Sequence, residues 1–132
     1  MLVAITREVS PAMATCELTH LSRIPIDIAL ARKQHRAYCE ALSALGCRVV
    51  SLPVEPDLPD SVFVEDVALV FDEVAVMTRP GAESRRTEGT AVANALSEYR
   101  NLLTTDAPAT LDGGDVLRIG REIFVGVSAR SN

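Results

Sequence analysis

The sequence predicts an α/β fold assembled from a repeated unit of β-hairpin, helix and strand. Short apolar runs bounded by Gly, Pro and Asp recur along the chain, as strands do. Two longer segments, from Asp27 and from about Thr87, place apolar residues three and four apart, as helices do. Two stretches also match each other. EDVALV–DE–VAVMTRPGAESR and GDVLRI–GR–EIFVGVSARSN both run acidic residue, hairpin, small-residue turn and arginine. Marked by Asp66 and Asp115, the period is about 50 residues, which points to a modular architecture. The last copy is half-finished, so the array is expected to be cut short, and repeat folds need capped or closed ends.

Taken in order, Leu2 to Thr6 is an apolar run suited to a buried strand, and the next twenty or so residues, with Pro11 and Pro25, read as irregular. Ile28, Ala31, His35, Tyr38, Leu42 and Leu45 define one face of a helix that Asp27 caps and Gly46 ends. His35 on that face reads as a core histidine. Cys47 to Pro53 reads as a strand, and Pro53, Pro56 and Pro59 stiffen the loop that follows. SVFVEDVALVF, from Ser61 to Phe71, has the composition of a further strand. VALVF and VAVMT flank Asp72 and Glu73 as a hairpin, whose turn type stays open because the pair is not Asn-Gly or Asp-Gly. RPGAESRR is turn-rich. Val92, Ala95, Leu96 and Tyr99 then share one face of a helix from about Thr87 to Arg100. Asn101 to Thr105 reads as a short strand, and a second hairpin is expected around Gly120 and Arg121.

At 132 residues and 48% apolar composition, a single domain spanning 1–132 with a real core is expected. The net charge of −5 and the lack of a basic run exclude nucleic acid as a partner. No apolar run approaches the ~18 residues of a membrane span, and MLVAITREV lacks the basic leader of a secretory signal. Cys16, Cys39 and Cys47 form no CxxC, which points away from a disulfide scaffold or zinc site and toward a reducing, cytoplasmic setting. No cofactor and no metal are expected.

Three clusters can carry chemistry. DSVFVED places Asp60, Glu65 and Asp66 in an apolar stretch, and on a strand one of the adjacent pair would face inward. A buried carboxylate finds a cation or shifts its pKa, so the stretch is either a charged strand end or an acidic pocket for a cation. Arg85 and Arg86 stand where the second helix should start, against its dipole. They are either exposed side chains or a clamp for a carboxylate, which the rigid guanidinium fork suits. Arg130 occupies the equivalent place after the second hairpin, and carboxylates and arginines together suit a zwitterionic ligand. In LDGGD, paired glycines allow close approach and hold Asp112 and Asp115 on a tight turn, with too few oxygen ligands for a cation. Cys16 and His20 lie four apart without the cationic neighbour that a reactive thiol needs.

PDSVFVEDVALVF, MTRPGAESRR, TLDGGDVLRIG and FVGVSARSN, in that order, resemble the dimethylarginine dimethylaminohydrolases (dimethylargininases) of the pentein, or amidinotransferase, superfamily. The resemblance runs from Leu18 onward. It implies a pentein-type α/β propeller of five ββαβ modules, of which this chain would be the N-terminal half. It further implies that Asp66 holds the substrate guanidinium with Glu65 beside it. Asp60 and the backbone of Leu18 would take the α-amino group, and Arg85 and Arg130 the α-carboxylate. Asp112 matches the carboxylate that partners the catalytic histidine. The implied reaction converts dimethylarginine to citrulline and dimethylamine through a cysteine nucleophile. No residue here matches that cysteine or the histidine, so the chain alone is expected to be inactive. The alternative is a non-catalytic guanidine-binding or assembly fragment that needs a second chain. The expected partners are a small guanidino substrate and either a second copy or a complementing C-terminal half.

Overall fold

The order of elements alternates strands and helices, and the computed structural model describes all residues from Met1 to Asn132. Strands are β1 (Val3–Arg7), β2 (Arg48–Leu52), β3 (Ala68–Val70), β4 (Val74–Met77), β5 (Asn101–Thr104), β6 (Val116–Ile119) and β7 (Glu122–Val125). Helices are α1 (Ile28–Ala44) and α2 (Gly89–Ser97). The chain divides into two units, Met1–Val62 and Phe63–Asn132. No helix is long and apolar enough to cross a membrane.

In the first unit, β1 and β2 pair in parallel and α1 makes the crossover between them, as parallel neighbours require. Asp27 Oδ1 accepts the Leu30 N–H at 2.9 Å and so caps α1. At the other end Cys47 N–H reaches Leu42 O at 3.1 Å and Gly46 N–H reaches Ser43 O at 3.0 Å. With Gly46 at φ 87°, this is the paired-bond Schellman ending. The inward face of α1 is turned slightly from expectation. Ile28, Ala31, Arg32, His35, Cys39 and Leu42 are half-buried, while Tyr38 and Leu45 are 57% and 81% exposed. Successive residues turn by about 100°, and the half-buried set centres near His35, leaving Tyr38 and Leu45 at its edge. His35 therefore lies at the middle of the inward face but is only half-buried, not fully enclosed.

The second unit contains one whole hairpin–helix–strand module. β3 and β4 pair antiparallel, α2 crosses, and β5 returns parallel to β4 in the order β3-β4-β5. Val92 and Leu96, four apart on α2, are buried with Val67, Ala75 and Met77, giving the module its apolar centre. Gly89 begins α2 where a Cβ would lie 3.5 Å from Met77 Cε, so the helix starts close over the sheet. The β6–β7 hairpin then opens the next repeat. Its two-residue turn has Gly120 at φ 62° and no positive φ at Arg121, the type II′ pattern. The Asp72–Glu73 turn has no positive φ at all. One α/β module and the hairpin of a second are thus observed, in three separate sheets with no closed ring.

One expected strand is shorter than its composition suggests. Val64–Asp66 is a 3-10 turn, and β3 begins only at Ala68. The turn leaves Glu65 exposed and Asp66 half-buried, and sends Val67, 1% exposed, into the core. The second helix also starts later than expected, at Gly89, because Glu83–Arg85 forms a 3-10 turn of its own.

Candidate functional site

Two short 3-10 turns in the second unit, Val64–Asp66 and Gly113–Asp115, stack on each other. The paired glycines make this possible. A Cβ on Gly113 would run into the carbonyl of Glu65, and one on Gly114 would come within 2.8 Å of Asp66 Oδ1. With hydrogens there instead, Gly114 N–H donates to Asp66 Oδ1 at 3.0 Å. The close approach that Gly-Gly permits is therefore first of all internal. It locks the turn carrying Glu65 and Asp66 to the turn following Asp112.

Asp66 Oδ2 accepts a 2.8 Å bond from Arg85 Nη1. Arg85 in turn spans both oxygens of Glu88, with Nη2 at 2.9 Å from Oε2 and Nε at 3.1 and 3.3 Å from Oε2 and Oε1. Arg85 and Glu88 side chains are each 2% exposed, and Asp66 is 18% exposed. Burial alone would lower the Arg85 pKa. The hydrogen bonds to Glu88 and Asp66 outweigh it and raise the pKa above its ordinary value. Two carboxylates on one guanidinium leave one excess negative charge, and Asp66 is the member that meets solvent.

Arg85, expected to take an α-carboxylate, has its fork on two carboxylates of this unit. Its fork faces carboxylates of its own unit because Glu88 follows three residues later, the spacing of side-chain neighbours on one helical face. Arg86, by contrast, is part-exposed and pairs with Glu83 at 3.0 Å.

Asp112 is 4% exposed, and its Oδ1 accepts the Gly81 N–H at 3.0 Å. Arg130 Nη1 lies 3.5 Å from Asp112 Oδ2. Gly81 must be glycine-sized, since a Cβ would meet the backbone of Arg130. Asp115 Oδ2 accepts from Ser131 Oγ at 2.6 Å and from Ser128 Oγ at 2.7 Å. Ser131 Oγ takes the Asp112 N–H at 3.1 Å, and Ser128 Oγ takes the Arg130 N–H at 3.0 Å. The Ser131 and Ser128 bonds hold the Asp115 carboxyl below the usual carboxylate range; partial burial opposes them and Arg130 adds to them. Asp115 thus ties the turn entry at Asp112 to the loop that carries Arg130.

Glu65, Asp66, Arg85, Asp112 and Arg130 all belong to this second unit, whereas Leu18 and Asp60 belong to the first. There, Asp60 is 5% exposed and its Oδ2 accepts the Glu17 N–H at 3.0 Å, fixing the backbone beside Leu18. Cys39 Sγ and His35 Nε2 lie 3.6 Å apart, but as i,i+4 neighbours on α1 they show only the proximity such a spacing gives.

A sequence profile described as N,N dimethylarginine dimethylhydrolase, eukaryotic, matches residues 19–132. The chain belongs to the dimethylarginine dimethylaminohydrolase family. It is 46% identical over 130 residues to the N(G),N(G)-dimethylarginine dimethylaminohydrolase of Streptomyces coelicolor, covering 98% of this chain and 50% of that one. Against the dimethylarginine dimethylaminohydrolase of Pseudomonas aeruginosa the identity is 39% over 108 residues, covering 80% and 42% of the two chains. A solved structure of the Pseudomonas aeruginosa enzyme, a Cys-to-Ser mutant complexed with citrulline, superposes with a TM-score of 0.92 at 35% identity, covering 97% of this chain and 51% of that one. The N-terminal domain of an arginine dihydrolase from cyanobacteria shares the fold, with a TM-score of 0.77 at 19% identity, over 97% and 49% of the two chains. An α/β pentein fold fits these neighbours. The chain spans about half the length of the curated dimethylarginine dimethylaminohydrolases it matches.

Proposed function

We propose that this chain supplies the substrate-holding part of a hydrolase acting on the guanidinium carbon of N-methylated arginine. The observation that carries the reading is the state of Asp66. Its carboxylate is aimed by Arg85 Nη1 at 2.8 Å and by Gly114 N–H at 3.0 Å, yet it stays 18% exposed. A carboxylate offers about four lone-pair positions. Two internal donors leave acceptor capacity for the planar N–H edge of a guanidinium, with Glu65 next to it.

In this reading Asp60 and the Leu18 backbone receive the α-amino group. Arg130 and Arg85 receive the α-carboxylate. Asp112 orients the histidine that moves protons. A cysteine thiolate adds to the guanidinium carbon, dimethylamine leaves with a proton from histidine, and water then releases citrulline and the free thiol. Cys16, Cys39 and Cys47 are not assigned as that nucleophile, and neither His20 nor His35 as its partner. The cysteine and histidine come from a second polypeptide segment, and these 132 residues alone do not turn over.

The β6–β7 hairpin supports a need for such a segment. Leu117, Ile119, Ile123, Phe124 and Val125 are each 51–58% exposed and Val127 is 88% exposed, an apolar surface of the kind that marks interaction sites. The three free thiols support a reducing, cytoplasmic setting. Citrulline and dimethylamine release by the pure chain, with and without the C-terminal half of a family relative, tests the reading. Turnover only in the mixture is expected. Turnover by the pure chain overturns the missing-nucleophile assignment. Self-association through the hairpin without any guanidine binding would instead favour an assembly fragment.

A further inference from the structure

Glu88 is a buried charge that the site residues above leave without a role. It stands at the entry to α2, 2% exposed, with both oxygens on the Arg85 fork. Taking a carboxylate and a guanidinium out of water is expensive, and apolar residues of similar volume often serve stability as well or better. Its geometry offers a reason for it. With Glu88 absent, Arg85 and Asp66 would make a neutral pair whose attraction is spent internally. With Glu88 in place, Arg85 is neutralised from behind, its fork is fixed in plane, and the Asp66 end keeps a net negative charge.

We propose that Glu88 is a positioning residue for the guanidinium site, acting through Arg85 to aim Asp66 and to leave it available to a cationic ligand. This rests on the reading of Asp66 as the guanidinium acceptor. It also extends that reading to selectivity. A cationic guanidino ligand should be preferred over its neutral ureido counterpart, and Glu88 should set much of the preference.

The Gly114 amide reports on Asp66 directly, because it donates to Asp66 Oδ1. In the ligand-free 132-residue chain, Glu88→Gln is expected to shift the Gly114 amide resonance. Its exchange should rise by roughly fivefold, the size of one ordinary hydrogen bond. The neighbouring Gly126 amide, bonded to Asp115 O at 2.8 Å, should stay unchanged. In binding measurements, the ratio of citrulline Kd to dimethylarginine Kd should fall by roughly tenfold, as for loss of a charge-assisted bond. Glu88→Asp keeps the charge but shortens the arm, so it should move the Gly114 resonance and preserve the preference; it serves if Glu88→Gln does not fold. A Gly114 amide unmoved in a folded Glu88 variant overturns the positioning role. A wild-type preference that survives Glu88→Gln overturns the charge role. A wild-type chain that binds dimethylarginine no better than citrulline instead removes the guanidinium reading itself, while the Gly114 amide still decides what Glu88 holds.

Discussion

Gly114 donates its backbone N–H to Asp66 Oδ1 at 3.0 Å, joining two turns 48 residues apart in the chain. Those turns carry the carboxylates on which the functional reading depends. Through the same junction, Gly113 lies directly against the carbonyl of Glu65. A methyl group at Gly113 must therefore push backbone against backbone. Gly113→Ala is expected to lose about 1–3 kcal/mol, the scale of an overpacked core, read as a lower urea midpoint. An unchanged midpoint would mean the turns are not locked.

Arg85 and Arg86 should respond very differently to alanine. Arg85→Ala strands Glu88 in a site where it is 2% exposed, and a broken buried pair costs about 3–5 kcal/mol. Arg86→Ala gives up a pair with a Glu83 that is 85% exposed, worth at most about 1 kcal/mol, and a 3.2 Å bond to Pro80 O worth about 1 kcal/mol more. Equal losses in denaturant midpoint would contradict the buried assignment.

Acid sensitivity should trace in part to Asp115. Hydrogen bonds from Ser131 and Ser128 depress its pKa in the folded chain. The stabilisation they give is full above the unfolded value of about 3.9 and is lost as pH falls through the lower folded value. Asp115→Asn should therefore be less stable than wild type at neutral pH, with the gap closing below about pH 4. Urea midpoints measured from pH 7 downward check this; a gap constant with pH would discard it.

Arg130 is the better isolated test of carboxylate recognition, being 29% exposed at its side chain and 3.5 Å from Asp112. Arg130→Ala should keep the fold and weaken dimethylarginine binding roughly tenfold or more, as for loss of a charge-assisted contact. A decarboxylated, agmatine-like ligand should lose little. Equal losses for the two ligands would remove Arg130 from the clamp.

Much of this was legible in the residues because it is set locally. Asp27 and Gly46 bracket α1, Val92 and Leu96 mark the buried stripe of α2, and Gly120 marks its hairpin turn. What was not legible depends on distant neighbours. VFVED has the composition of a strand, but its chain bends into a 3-10 turn against glycines that lie far along the sequence. Which of two adjacent arginines turns inward was equally hidden. A spacing of three to an acid does not separate them, because Arg85 has Glu88 three residues on and Arg86 has Glu83 three residues back. The rotation of α1 by a fraction of a turn, enough to expose Tyr38, lies below what periodicity resolves.

Asp66 is the proposed guanidinium acceptor, and titration of dimethylarginine into the 132-residue chain and two variants tests that role most directly. Asp66→Asn should weaken binding by roughly tenfold or more, as for removal of one charged partner. Glu73→Gln, in the exposed hairpin turn of the same unit, should change it little. Equal, small effects from the two substitutions would contradict the account.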